Sequence, residues 1–485
     1  MMTERTTLTA NYLIHSFICV LLMIGVGFLP PIGGITPYGM DILGIFLGSI
    51  YGWVFVDFVW PSFLGMLMLA VVGYGTTAEI FKAGFGDSIV LNLFLTTVFF
   101  AFISKTGLMT FLANRIVSAK ICVGRPWVLI AAFFFIASYI AGFTNNVACT
   151  LLLWSIIYSI ANELGYKPGE KLITYLIAGI VFFAVWSIAL FPFLPWSQVC
   201  IGLMSNMVDF GAYSQVGWIV TGLILPILTI IGYIAMGKFI FKLDTSKFTL
   251  PEERLTEMRS AKLGTSEKVG IVYLLIFLVV VIIPSFAPKT WPVIAILSDW
   301  AIIGACSLCF IGVCFMKNKD GIAVNKFGDM VYQGVSWDMI ILMIATVPIC
   351  AAMEAGETGI MVTVMSAVTP FLSSLSPSVL VAAIVLFFIT ITQFAHNLIL
   401  LLVFGPVLCQ FVSFAGIPPI VFACVFVLCL QAAMATPGAS ANSAMLFGNV
   451  EWINKKDAML MGWLFVAMMA ILLIAVVLPI NLMFN

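Results

Sequence analysis

The sequence predicts an all-α polytopic membrane protein with about 11 transmembrane helices and two re-entrant hairpins, arranged as an inverted repeat. Three observations carry that expectation. Of 485 residues, 63% are hydrophobic and only 9% charged, against about 25% charged in soluble domains. Apolar runs of about 20 residues, the length that spans a bilayer core, recur along the chain. Two further apolar blocks are too long for one crossing and carry polar residues in their middles. A water-soluble bundle needs a polar face on every helix, and this composition does not supply one.

The first run, from about Tyr12 to Leu29, is long enough to cross and lacks a small-x-small cleavage pattern, so it reads as a span rather than a leader. His15, near its start, reads as an interfacial residue. Further spans are expected near 39–57, 59–75, 88–104, 170–190, 214–240, 268–287, 299–316, 337–353, 420–436 and 459–482. The two over-long blocks, 126–162 and 377–413, each suit a hairpin that enters the membrane and turns back.

One long hydrophilic segment, 242–268, divides the chain into a first half (1–241) and a second half (269–485). It carries six Lys/Arg residues, and excess Lys/Arg marks the cytoplasmic side. Formal charge balances at 21 basic against 21 acidic residues, so nothing points to a nucleic-acid partner. The 11 cysteines lie in apolar segments. The C-x-x-C of "ACSLC" (305–309) has no His or acid beside it, so packing is the expected role.

The halves resemble each other. "KTGLM" (Lys105–Met109) recurs as "ETGIM" (Glu357–Met361), 252 residues on (359 − 107). Asn145 and Asn397 share the same offset (397 − 145). Two coincidences at one spacing favour a duplicated unit. Duplicated halves, each with an interrupted block at the matching place, point to a secondary transporter.

The interruptions carry the chemistry. The first block has "GFTNNVACTLLLW", with Thr144, Asn145 and Asn146; the second has "FAHNLILLLVFGP", with His396 and Asn397. Backbone groups cannot stay unpaired against lipid, so a helix broken there must face protein or a watery cavity. Free N–H groups at a half-helix start attract an anion, and freed carbonyls coordinate a cation. Small polar side chains complete either shell. No Asp, Glu, Lys or Arg lies between Glu357 and Glu451.

Downstream of the second block, "MATPGASANSAMLFG" offers Thr436, Pro437, Gly438, Ser440, Asn442 and Ser443. Pro removes a donor, so the helix is expected to unwind there. The first-half counterpart, "WSIALFPFLPWSQ", offers Ser187, Pro192, Pro195 and Ser197. Kinks at helix contacts are the structural alternative for both. Candidate substrate-binding residues are therefore Thr144, Asn145, Asn146, His396, Asn397, Thr436, Ser440, Asn442 and Ser443. Asn145, Asn146, Asn397 and Ser440 are the candidate cation ligands.

These residues, together with "LGIFLGSIYGW" (Leu43–Trp53) and "WPSFLG" (Trp60–Gly65), resemble the divalent anion/sodium symporters over nearly the whole chain. That family carries dicarboxylates, citrate or sulfate, with a Ser-Asn-Thr at each tip and a Thr-Pro-Pro-Asn segment after each hairpin. Here the middle asparagine is kept at both tips. Pro406 stands at the family's proline after the second tip, and Trp154 replaces it after the first. Thr436–Pro437 matches the start of the second Thr-Pro-Pro-Asn segment. The resemblance implies a homodimer that moves as an elevator in the cell membrane, plasma or inner. It also implies sodium as coupling ion, with the proton as alternative.

His396 brings a titratable group into the second tip. It can take up a proton in place of a sodium ion or contact the substrate anion. A neutral imidazole on a broken-helix carbonyl is the other reading. Among other ionisable residues, Asp57, Lys105, Asp338, Glu354 and Glu357 are weighed as functional because charge within a membrane is costly. Lys105 and Glu357 read as helix-end residues near the interface. "GFGD" (Gly84–Asp87) matches the Gly-x-Gly-Asp of membrane aspartyl proteases, but that chemistry needs a second aspartate, and no enzyme is expected. An arsenite or sodium/proton antiporter of the same plan, or an ion channel, is the alternative to a di- or tricarboxylate carrier.

Overall fold

The computed structural model describes residues 10–485 except 145, 212, 250–255, 257, 261, 289, 316–326, 364–365, 367–375 and 396. Among the described residues the regular structure is helical, with no strand. Among these residues ten helices are long and apolar enough to cross a membrane.

Three expected spans come out short: Trp60–Val71, Lys171–Ser187 and Pro419–Gln431. Trp60–Val71 ends in a turn at Gly73, whose φ of 82° suits a residue without Cβ. The other two are first pieces of broken helices. Lys171–Ser187 resumes as Pro195–Ser205, and Pro419–Gln431 resumes as Ala441–Gly448, where Ser440 caps the new start. Three short helices lie outside the expected spans: Thr77–Phe85, Leu108–Val117 and Phe327–Gly334. The first begins at a reciprocal cap between Thr76 and Glu79.

Both over-long blocks are hairpins of two helices. Pro126–Tyr139 turns through Ala141–Phe143 into Asn146–Glu163, and Pro377–Ile391 turns into Asn397–Phe414. Each first arm opens on a proline at its first helical position, where the missing N–H costs nothing.

The Thr-Gly pair repeats in geometry as well as in sequence. Gly107 and Gly359 both adopt left-handed backbone, at φ 75° and 68°. Thr106 and Thr358 each donate to the carbonyl three residues back, at 2.7 and 2.8 Å, and accept from the N–H two residues on, at 3.3 Å. The hairpins, however, are in register at 251 residues (397 − 146 and 377 − 126). Asn146 and Asn397 are the first described residues of the two second arms.

The two helices that precede the breaks are the core. From Leu172 to Ser187 and from Ile420 to Gln431 every residue is buried. Tyr175 and Tyr233 stack at 4.3 Å between ring centres and exchange hydroxyl-to-carbonyl bonds of 2.8 and 3.2 Å. That reciprocal pair pins Lys171–Ser187 to Val216–Ala235. Helices Ala10–Gly25 and Thr265–Phe286 instead expose large apolar side chains, among them Phe17, Leu21, Val272 and Leu275. Such faces suit lipid.

Described residues on both sides of the hydrophilic segment's middle are docked on the bundle. Phe248 is buried with its ring edge-on to Tyr166. Arg259 Nε donates to Ser118 O at 2.6 Å, and Arg115 donates to Arg259 O.

Candidate functional site

The two hairpin tips differ in what surrounds them. At the first, the chain leaves Pro126–Tyr139, makes one tight turn, and restarts at Asn146. Thr144 Oγ1 donates to Ile140 O at 3.1 Å, within its own hairpin. Thr144 and Asn146 then face a cavity of about 390 Å³ that is also lined by Thr97, Ser104, Lys105, Gly142 and Trp196. That volume falls in the range of small-molecule sites. Lys105 ends helix Ser88–Lys105, as its sequence context suggests, and that helix end forms part of the cavity wall.

Gly142 makes the closeness of this tip to the break possible. A Cβ there would lie 2.4 Å from Ser187 O, the last residue of the buried core helix. The break beyond Ser187 satisfies itself. Ser197 Oγ donates to Ala189 O at 3.1 Å, Gln198 Nε2 to Pro192 O at 2.6 Å, and Trp218 Nε1 to Ala189 O at 3.3 Å. Ser187 donates to Ala184 O. Neither serine lines the cavity; both are buried supports for interrupted backbone.

At the second tip the polar groups are bonded to one another. Gln393, fully buried, donates through Nε2 to Ile389 O and Ala432 O, each at 2.8 Å. Its Oε1 accepts from Met434 N at 3.0 Å and Ala435 N at 2.8 Å. Thr392 Oγ1 donates to Leu430 O at 3.0 Å, and Thr436 Oγ1 donates to Gln393 O. Asn397 accepts from Leu398 N at 2.9 Å through Oδ1 and donates to Gln431 Oε1 at 2.9 Å through Nδ2.

The remaining candidates of the second half are drawn into the same network. Ser440 Oγ donates to Ala433 O at 2.8 Å and accepts from Ser443 N, which makes it a helix cap. Ser443 Oγ donates to Met434 O and Thr436 O. Asn442 is buried beside them. Pro437 and Gly438 are exposed. Among the described residues, then, Thr144 and Asn146 share one cavity, whereas Asn397, Thr436, Ser440 and Ser443 serve a closed network. Neither Asn397 nor Ser440 lines the cavity that Asn146 faces. Asn145 and His396 lie outside the described residues.

Sequence reasoning overlooked Gln393, Gln431, Gln198 and Trp196, as well as the place of Lys105. A glutamine inside an uncharged apolar run was the available signal for the first two.

Other candidate residues have structural partners. Asp87 caps Ser88–Lys105, its Oδ1 accepting from Ile89 N at 2.8 Å, which accounts for the "GFGD" stretch. Asp57 Oδ1 likewise accepts from Val59 N at the start of Trp60–Val71. His15 pairs with the Tyr51 hydroxyl at 2.7 Å and stacks on Phe55. Cys306 and Cys309 are buried in one helix, and no His/Cys/Asp/Glu cluster among the described residues could hold a metal ion. Glu357 lines a separate cavity with Tyr38 and Tyr74.

An apolar bundle whose buried helices break opposite paired hairpin tips defines a polytopic membrane transporter. The chain belongs to the citrate transporter family: the CitMHS family profile, described as citrate transporter, matches residues 42–427. Among solved structures it is similar to the Alcanivorax borkumensis YdaH transporter, at 12% identity and a TM-score of 0.57, over 97% of this chain and 98% of that one. That likeness is one of fold. A search of curated proteins finds no match.

Proposed function

We propose that the protein is a secondary active carrier of small di- or tricarboxylate anions, citrate among them, driven by a sodium or proton gradient across the cell membrane. The observation that supports this reading best is the first-tip cavity. It combines a half-helix start at Asn146, the hydroxyls of Thr144 and Ser104, and the cationic Lys105. Helix N–H groups and a lysine favour carboxylate oxygens. Asn145, between Thr144 and Asn146, joins this site in the proposal, and His396 serves as a proton-accepting partner at the other tip. A homodimer with an elevator motion completes the reading, which rests there on the family resemblance.

Uptake of labelled citrate, succinate and sulfate into proteoliposomes tests it, with sodium and proton gradients imposed separately. Saturable, gradient-driven uptake of a carboxylate is expected. Flux that does not saturate would favour a channel, and export of arsenite or sodium in exchange for protons would favour an antiporter. Either result refutes the proposal.

A further inference from the structure

We propose that the amide of Gln393 stands in for a coupling sodium ion, so that the second hairpin tip binds no sodium and any sodium ion enters through the first. This rests on the carrier reading and adds to it the site at which coupling occurs.

Breaking a helix inside a membrane frees carbonyls that need a positive partner, either a bound cation or a donor. At the second break that partner is part of the chain. Gln393 Nε2 lies between Ile389 O and Ala432 O, one from the hairpin and one from the broken helix, at 2.8 Å to each. Its Oε1 takes the N–H groups of Met434 and Ala435, so both ends of the amide are filled and its orientation is fixed. The neighbouring carbonyls are equally occupied. Leu430 O accepts from Thr392, Ala433 O from Ser440, and Met434 O and Thr436 O from Ser443. An ion would have to displace these donors.

A buried unpartnered donor among the described residues points the same way. Gln431 Nε2 is buried with no partner. Leu398 N holds Asn397 Oδ1, so Asn397 must donate through Nδ2 and Gln431 must answer with Oε1. What Gln431 leaves over is a donor, which repels a cation. At the 251-residue register Gln393 corresponds to Gly142 (393 − 142). Where the second tip has an amide, the first has no side chain and an open cavity.

The test has two parts. In wild-type proteoliposomes, citrate uptake should depend on sodium with a steepness no greater than one, or not at all if protons drive it. Purified Gln393→Ser frees the carbonyl pair. It should gain sodium-specific thermal stabilisation, absent with choline, and a sodium dependence steeper by about one. Equilibrium binding of two sodium ions per wild-type protomer would overturn the proposal, and so would a well-folded Gln393→Ser with no sodium response beyond wild type. If the variant does not fold, the wild-type binding stoichiometry decides: one or none supports the proposal, two refutes it. Because thermal stabilisation needs no transport, a failure of the carrier reading would show separately, as absent wild-type uptake.

Discussion

Replacing Gly142 with alanine tests whether the first tip is the substrate site. The added Cβ would sit 2.4 Å from Ser187 O and 3.0 Å from Ser187 C. Both are backbone atoms at the end of a fully buried helix, so neither can swing away as a flexible side chain would. Restoring ordinary contact near 3.4 Å requires the tip and the break to part by about 1 Å. Thr144, two residues on, and Asn146 move with the tip. A displaced hydrogen bond to a charged carboxylate is worth about 1.5–3 kcal/mol, which is roughly a 10- to 150-fold rise in KM at about 1.4 kcal/mol per decade. The overpacking itself should cost about 1–3 kcal/mol of stability. Gly438→Ala supplies the matched control, because a Cβ there meets nothing within 4 Å. Initial uptake rates against citrate concentration, at equal reconstituted protein, give the answer. If Gly142→Ala kept its KM within twofold of wild type, or Gly438→Ala did equal damage, the first-tip assignment would fall.

Lys105→Gln should raise KM by roughly tenfold and flatten its dependence on ionic strength, since an exposed cation at a cavity wall acts partly through screened attraction; uptake at two salt concentrations checks it. Gln198→Leu removes the donor to Pro192 O, and leaving that buried carbonyl unpaired should cost about 1–3 kcal/mol, seen as a lower thermal midpoint at fixed scan rate. Ala301 has φ 44° and ψ −138° at a kink within Pro292–Cys314, a sparsely populated conformation that costs a residue with Cβ about 1–3 kcal/mol. Ala301→Gly should therefore raise the thermal midpoint; a fall would contradict the reading of strain there.

The hydropathy pattern made most spans legible, because each needs a long apolar run and the linker does not supply one. The breaks were legible too, since Pro192 and Pro195 in one half, and Pro437 and Gly438 in the other, interrupt runs that otherwise have no reason to end. What the sequence hid was partnership. Gln393 is bonded to groups 39 to 43 positions further on, a pairing that no local pattern encodes. The duplicated Thr-Gly motif aligns at 252 residues while the opening prolines of the hairpins align at 251, a single-residue difference that one fixed repeat offset cannot express. Lys105 was read as a helix end, and it is one; that this helix end also lines the first-tip cavity is a tertiary fact that composition does not carry.

The asymmetry between the tips bears on which part of the molecule can move. Six hydrogen bonds join residues 392–397 to the break at 430–436. At about 0.6 kcal/mol each, the mean for side-chain bonds between membrane helices, they oppose separation by about 4 kcal/mol. At about 1.4 kcal/mol per decade, the second tip would then be parted from its break in roughly one molecule per thousand. At the first tip the described side chains make no such bond to the break: Thr144 and Thr150 donate within their own hairpin, and Gly142 contributes only contact. Opening there gives up packing but few hydrogen bonds. On the proposed reading, solute access is easiest at the first tip, and the second hairpin is expected to travel with its broken helix as one body. A carrier that alternates access needs one rigid unit and one yielding contact, and here the duplicated halves have divided those two tasks between a glutamine and a glycine at equivalent positions.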